Sequence, residues 1–397
     1  MTGDRSYLEE IRARVARLQA GMKRQGLGGA LLVQNASRYW ASGTMQAGAV
    51  VVPAGGDPVV FVRKDLDRAR RESPCRVEGL ASLRDLPARV REVLGGVPEP
   101  LGLEWDVLPV NQARRFQGLF EGVDLADVSG ALALARAVKT PWEHRAIAEA
   151  ARVVAEAVAR VPELLRPGIP EIELAAAVEY ELRRRGHGGL LRMRGFNQEI
   201  FYGHVMAGPT AAEPSFLDAP TGGAGLGPAL AQGPSTRAIG PGEPVTVDLV
   251  GNHQGYLCDQ TRIFCLGRPP RQVAEAFEAA CAVQDAVIET ARPGATGDEL
   301  YRVARRAAEA TPFADTFLGH RNPVSFVGHG IGLEVDEPPF LARGFRVPLE
   351  EGMVFALEPK FVIPGVGAVG VEDTFRVTAT GVERITLSPR ELGLVEI

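Results

Sequence analysis

The stretch 244–267, PVTVDLVGNHQGYLCDQTRIFCLG, reads as a β-hairpin. Val245, Val247 and Leu249 alternate with Thr246, Asp248 and Val250, the two-residue period of a strand, and the Gly251–Gly255 region supplies the turn. Asp248 and Asp259 then fall on paired strands, where cross-strand neighbours converge. Two carboxylates close together in a partly buried site repel strongly unless a cation lies between them. One such aspartate has ordinary structural explanations; two, each inside an otherwise apolar strand, point to a cation.

Working outward, FVGHGIGL at 326–333 sets the imidazole of His329 between glycines, which allow close backbone approach and unusual dihedrals. VFALEP at 354–359 puts Glu358 at the end of an apolar strand, and VGVED at 369–373 does the same for Glu372. A lone histidine of this kind is more often a core residue; the rest of the constellation reverses that reading. Four carboxylates and one imidazole suit Mn²⁺, Co²⁺, Fe²⁺ or Zn²⁺, and the lack of thiolate ligands argues against a structural zinc site. Four carboxylates also carry charge enough for two ions, and a pair about 3.5–4 Å apart can bridge a water, lower its pKa and polarise a carbonyl.

On the amino-terminal side, Thr140-Pro141-Trp142-Glu143 is a capping box with proline at the first helical position, opening an Ala-rich helix to about Val161. The domain boundary is placed here, giving domains 1–137 and 138–397. Arg166-Pro167-Gly168 leads into Glu173-Leu174, and Arg292-Pro293-Gly294 leads into Glu299-Leu300 at the same offset. A duplication would give two related α/β halves with a site between them. Residues 207–244 form a long Gly/Pro-rich loop of the kind that is usually functional or mobile.

Residues 1–137 alternate helical and strand patterns: an amphipathic helix over Tyr7–Arg24, strands in GGALLVQ, AVVVPAG and DPVVFVR, and helices from Asp65 and over Leu86–Leu94. Asn35–Tyr39 reads as a turn. This α/β domain carries no cluster of metal-ligand residue types.

With 397 residues, 45% hydrophobic and 23% charged, the chain is an ordinary globular protein of two domains. A net charge of −5 gives no basic surplus for nucleic acid. No window approaches the ~18 continuous apolar residues of a membrane helix. The charged amino-terminal stretch does not resemble a signal peptide, and the four cysteines lack metal-site or disulfide-framework spacing. Together these lead to an expectation of a cytoplasmic location.

VDLVGNHQGYLCDQTR, GHGIGLE, ALEPK and VEDTFRVT match, in order, motifs of the pita-bread metallopeptidases, the family of aminopeptidase P, prolidase, methionine aminopeptidase and creatinase. The chain resembles that family from about residue 140 onward, and GGALLVQNASRYWASG resembles its creatinase/prolidase-type N-terminal domain more loosely. The resemblance implies a creatinase-type α/β domain followed by a pseudo-symmetric pita-bread domain. It also implies a homodimer in which the N-terminal domain overhangs the partner's site. Asp259 and Glu372 would bridge two metals, Asp248 would chelate one, and His329 and Glu358 would ligate the other, with Glu358 as general base. Mn²⁺ or Co²⁺ is favoured.

The departures from the family decide how far its activity carries over. Where a second histidine is usual, seven residues after His329, this chain has Asp336; four residues before, it has Ser325. Gly370 stands in place of a common arginine, and Pro214-Ser215 in place of a Pro-His step. Such donors stabilise the reacting oxygen, and losing one costs about a hundredfold in rate or more. Asp336 would instead attract a cationic group, and His204 is the candidate to replace a missing histidine. The full ligand set and the two-domain layout lead to an expectation of an Xaa-Pro peptidase acting on a small peptide, and the altered positions Asp336, Ser325 and Gly370 motivate the non-peptide alternative. The alternatives are an enzyme acting on a non-peptide small molecule on the same scaffold (creatinase-, ectoine hydrolase- or dimethylsulfoniopropionate lyase-like) and a non-catalytic binding module.

Overall fold

The computed structural model describes residues 5–397; the first four residues of the charged amino-terminal stretch lie outside them. The chain divides into two units between Arg136 and Ala137. In the first, the three- and four-residue spacing of Ile11, Val15, Leu18 and Met22 becomes the buried stripe of helix Arg5–Gln25. Its sheet comprises β1 (Gly29–Leu32), β2 (Gly48–Pro53), β3 (Val59–Val62), β4 (Arg76–Gly79), β5 (Leu101–Leu103) and β6 (Leu125–Asp127) in the order β4-β3-β2-β1-β5-β6. Only the β1–β2 and β2–β3 pairs are antiparallel.

Asn35–Ser42, read from sequence as a turn, is a helix. Tertiary contacts override its weak local pattern. The Gln34 side chain accepts from the Ser37 N–H at 3.0 Å, and buried Glu104 accepts from the Val33 and Gln34 N–H groups and the Ser37 hydroxyl. Gly43 closes the helix in the left-handed conformation.

The second unit contains β7 (Gly203–Ala207), β8 (Pro244–His253), β9 (Tyr256–Leu266), β10 (Phe326–Ile331), β11 (Val335–Ala342), β12 (Val354–Leu357), β13 (Lys360–Ile363), β14 (Gly367–Gly370), β15 (Asp373–Val377), β16 (Val382–Arg384) and β17 (Gly393–Val395). One sheet runs β17-β9-β8-β7, a second β11-β10-β12-β15-β16, and β13–β14 is a separate ribbon. The expected hairpin is β8–β9, with Asp248 opposite Thr261 and Asp259 opposite Val250, so the two aspartates lie diagonally on one face. Its turn is tighter than the pattern suggested. Only Gln254 and Gly255 turn the chain, both with positive φ, and Gly251 lies within β8. A Cβ on Gly251 would come 2.1 Å from the Ala150 carbonyl oxygen. Glycine is there to let helix Pro141–Val158 lie against the sheet, and the capping box of Thr140 and Glu143 starts that helix as expected.

The internal echo has a structural counterpart. Gly168, ahead of helix Glu171–Arg184, donates to the Ile239 carbonyl, while the Ile239 N–H donates to Ile169. Gly294, ahead of helix Gly297–Glu309, donates to the Leu349 carbonyl, while the Leu349 N–H donates to Ala295. Each half has its own core: Val154, Leu174, Val178 and Val247 in the first, Phe277, Leu300, Phe355 and Phe361 in the second. The halves meet where Thr261 of β9 and Glu372 exchange N–H···O bonds of 3.3 Å.

Candidate metal centre

The five residues expected to bind metal line one pocket beside that seam, and of these Asp259, His329 and Glu372 bring ligand atoms together. Asp248 and Asp259 come from the first sheet, His329 from β10, and Glu358 and Glu372 from the turns after β12 and before β15. They line one small pocket together with His204 and Asp336. The glycines flanking His329 have a steric reason: a Cβ at Gly328 or Gly330 would lie 2.3 Å from the Ala356 carbonyl oxygen or 2.1 Å from that of Glu337. Strands on both sides press against β10, and the imidazole alone projects into the site.

The imidazole has a defined task. Nδ1 lies 3.2 Å from the Gly330 carbonyl oxygen and 3.5 Å from Asp336 Oδ1, so that edge is the N–H. Nε2 then faces Glu358 Oε1 at 3.8 Å and Glu372 Oε1 at 3.9 Å, the edge that a metal would take. A metal-binding histidine needs this support on its other nitrogen. Atoms of Asp259, His329 and Glu372 lie within 4.8 Å of one another. Asp259 Oδ1 and Glu372 Oε1 are buried with no hydrogen-bond partner among the described residues. Buried carboxylate oxygens left this way are costly unless a cation meets them, so these residues fit a divalent ion.

The electrostatics separate the carboxylates. Burial, with Glu372 and Asp248 nearby, raises the Asp259 pKa well above its ordinary range. Burial also pushes Glu372 up to about 7, Glu358 and Asp248 adding to it while Lys360 and His329 oppose it. Asp248 goes the other way: burial would raise it, but Lys360 and His204 hold it below the ordinary value.

Lys360, in the motif ALEPK, joins three of these carboxylates. Its Nζ donates to Asp248 Oδ2 and Glu358 Oε2 at 2.8 Å each and to Glu372 Oε2 at 3.0 Å. Burial disfavours the ammonium, but Asp248, Glu358 and Glu372 outweigh it and raise the lysine well above its usual pKa. The signal was available: a lysine opening the apolar strand KFVI beside Glu358 needs a buried anionic partner.

The other expected site residues divide. His204 pairs with Asp248 across β7–β8, and its Nε2 lies 2.7 Å from the Gln232 amide. Burial lowers its pKa, with Asp248 opposing and Lys360 assisting, so the ring is neutral. Asp336 sits in the left-handed region, φ 63°, which turns its carboxylate toward His329. Ser325 lies outside the pocket, accepting from Arg343 in a neighbouring cleft of about 530 Å³. The two cavities share Leu217–Pro220 of the long loop. Buried Glu171 anchors that loop by accepting from the N–H groups of Ala207 and Ser235 and from the hydroxyls of Thr210 and Ser235.

The comparisons with known proteins agree with this geometry. Residues 145–379 match the model of metallopeptidase family M24, and residues 14–138 match the creatinase/prolidase N-terminal domain. The chain is 31% identical to an Xaa-Pro dipeptidase of Lactobacillus helveticus over 74% of its own length and 72% of that protein. It is 27% identical to one of Pyrococcus furiosus over 96% and 100%. The solved structure of an Xaa-Pro dipeptidase from Bacillus anthracis superposes with a TM-score of 0.80 at 26% identity, covering 97% of this chain and 100% of that one. Most of the sequence is thereby accounted for by two models that occur in the expected order, and the chain belongs to the M24 metallopeptidases, with a creatinase-type domain preceding a pita-bread domain.

Proposed function

We propose that this protein is a metal-dependent Xaa-Pro peptidase that removes the amino-terminal residue ahead of proline. The observation that carries the reading is the convergence of Asp259, His329 and Glu372 on a buried point where two carboxylate oxygens lack partners among the described residues. Relatives named Xaa-Pro dipeptidase, aligned over most of the chain, support the substrate class over a non-peptide metabolite.

When bound, a divalent ion supplies activation of water and polarisation of the scissile carbonyl. Glu358 accepts the proton at Oε1, because Oε2 is engaged by Lys360. His204 is neutral with its Nε2 accepting from the Gln232 amide, so the proton it offers the developing oxyanion is on Nδ1. Asp336, part-exposed at the pocket wall, receives the substrate's α-ammonium. The finer assignments belong to the same reading: Mn²⁺ or Co²⁺ as the metal, Asp248 and Glu358 completing the acidic wall, the division at 137/138, and a homodimer. A cytoplasmic location is in keeping with the buried free thiols of Cys75, Cys258 and Cys265.

The test is amino-acid release from Xaa-Pro dipeptides and longer Xaa-Pro peptides by metal-free, Mn²⁺-loaded and Co²⁺-loaded protein, with Glu358→Ala as control. Metal-dependent release that is lost in the variant is expected, and peptide length separates dipeptidase from aminopeptidase. Absence of release from every Xaa-Pro peptide by metal-loaded protein would overturn the reading.

A further inference from the structure

An ammonium has three protons to give, and Lys360 gives all three to carboxylates of the metal centre: Asp248, Glu358 and Glu372. These belong to the set that the family pattern assigns to two ions. What Lys360 leaves free is one coordination face, made by Asp259 Oδ1, Glu372 Oε1 and His329 Nε2, with Glu358 Oε1 alongside. The lysine also has a built path to its position. Lys360 pairs with Gly370 across β13–β14, and a Cβ on residue 370 would lie 2.6 Å from Lys360 Cγ and 2.6 Å from the Pro359 carbonyl oxygen. The glycine that replaces the family's common arginine is therefore the residue that makes room for the lysine.

Resting on the metal-dependent reading above, we propose that Lys360 takes the place of one of the two cations, so that this chain's centre holds a single divalent ion at Asp259, His329 and Glu372. Asp248 then serves the ammonium as counter-ion and is not a metal ligand. A second ion at the Asp248 end would have to stand about 2.0–2.2 Å from oxygens that already receive the ammonium's protons, leaving two positive charges in contact. Lys360 acts as a positioning residue: a fixed charge that holds Glu358 Oε2 and leaves Oε1 toward the substrate side.

The experiment counts metal. Full-length protein stripped with chelator is dialysed against Mn²⁺ or Co²⁺, passed through gel filtration, and its metal per chain measured by mass spectrometry. One ion per chain is expected for the wild type. Asp248→Asn is expected to keep that one ion, whereas in a two-ion centre it would lose one. Lys360→Met, which keeps an unbranched side chain without the ammonium, is expected to rise to two ions. Two retained ions in the wild type, or loss of metal in Asp248→Asn, would overturn the inference while leaving the peptidase reading in place. No retained ion would overturn the metal-dependent reading itself, and this inference with it. Should Lys360→Met fail to fold, the wild-type count and the Asp248→Asn count decide the matter.

Discussion

Replacing Arg262 by alanine tests whether the seam beneath the metal centre holds the C-terminal unit together. Arg262 is 2% exposed, and its guanidinium donates in five directions. Nε reaches the Pro389 carbonyl at 2.6 Å; Nη1 reaches the carbonyls of Thr261 and Glu372 at 2.8 and 2.7 Å; Nη2 reaches Asp373 Oδ1 at 2.6 Å and the Ser388 carbonyl at 2.8 Å. Without it the buried Asp373 carboxylate keeps only the Thr386 hydroxyl at 2.5 Å and the Arg384 guanidinium at 4.0 Å. Breaking a buried ion pair from one side costs about 3–5 kcal/mol. In a unit of this size each kcal/mol moves Tm by about 2–4 °C. Arg262→Ala should therefore lower the calorimetric transition of the C-terminal unit by about 6–20 °C. The double variant Arg262→Met/Asp373→Leu removes both charges and should recover part of that loss, because no buried charge is left unmatched. A single variant melting within about 2 °C of the wild type, or a double variant no better than the single, would refute the account of the seam.

Asp336→Ala should raise KM for peptides with a free amino terminus by about 10–100-fold, since a hydrogen bond to a charged group contributes about 1.5–3 kcal/mol, and should also lower kcat through the lost support of His329 Nδ1; steady-state kinetics read both constants. Gly251→Ala should destabilise the C-terminal unit by about 1–3 kcal/mol in urea unfolding, because the Ala150 carbonyl, a backbone atom, must move. His187 is held neutral in the fold: burial lowers it to about 4, Arg183 adding to this against the bond to the Val250 carbonyl, while Nδ1 accepts from the Gly189 N–H. A folded pKa below the unfolded value of about 6.5 gives stability that is present above pH 6.5 and lost as pH falls toward 4. Unfolding measured between pH 7 and 4 should show a shallower loss in His187→Gln than in the wild type.

How much of this was legible in the sequence depends on where the deciding information lies. The β8–β9 hairpin and the strand ends bearing Glu358 and Glu372 were readable because their signals are local: a period of two, and a carboxylate breaking an apolar run. The 35–42 helix was not. Its first turn depends on Glu104, distant in the chain, accepting from Val33, Gln34 and Ser37. Gly251 misled for a related reason, since a glycine serving a tight helix contact looks in sequence like one serving a turn. Lys360 and Gly370 are the most instructive pair. Apart, they are a charge at the start of an apolar strand and a glycine where the family commonly has an arginine. The register Lys360↔Gly370 shows that they share one space, the absent side chain on β14 leaving room for the lysine of β13. Nothing in the spacing of either segment specifies that pairing. The same register predicts that the two positions are not independent: with Lys360 present, an arginine at 370 would place its Cβ 2.6 Å from Lys360 Cγ and bring a second cation to the same carboxylates. Gly370→Arg should therefore unfold the ribbon or expel the lysine, whereas Gly370→Arg combined with Lys360→Gly should fold, a difference that thermal melting of the two variants measures directly.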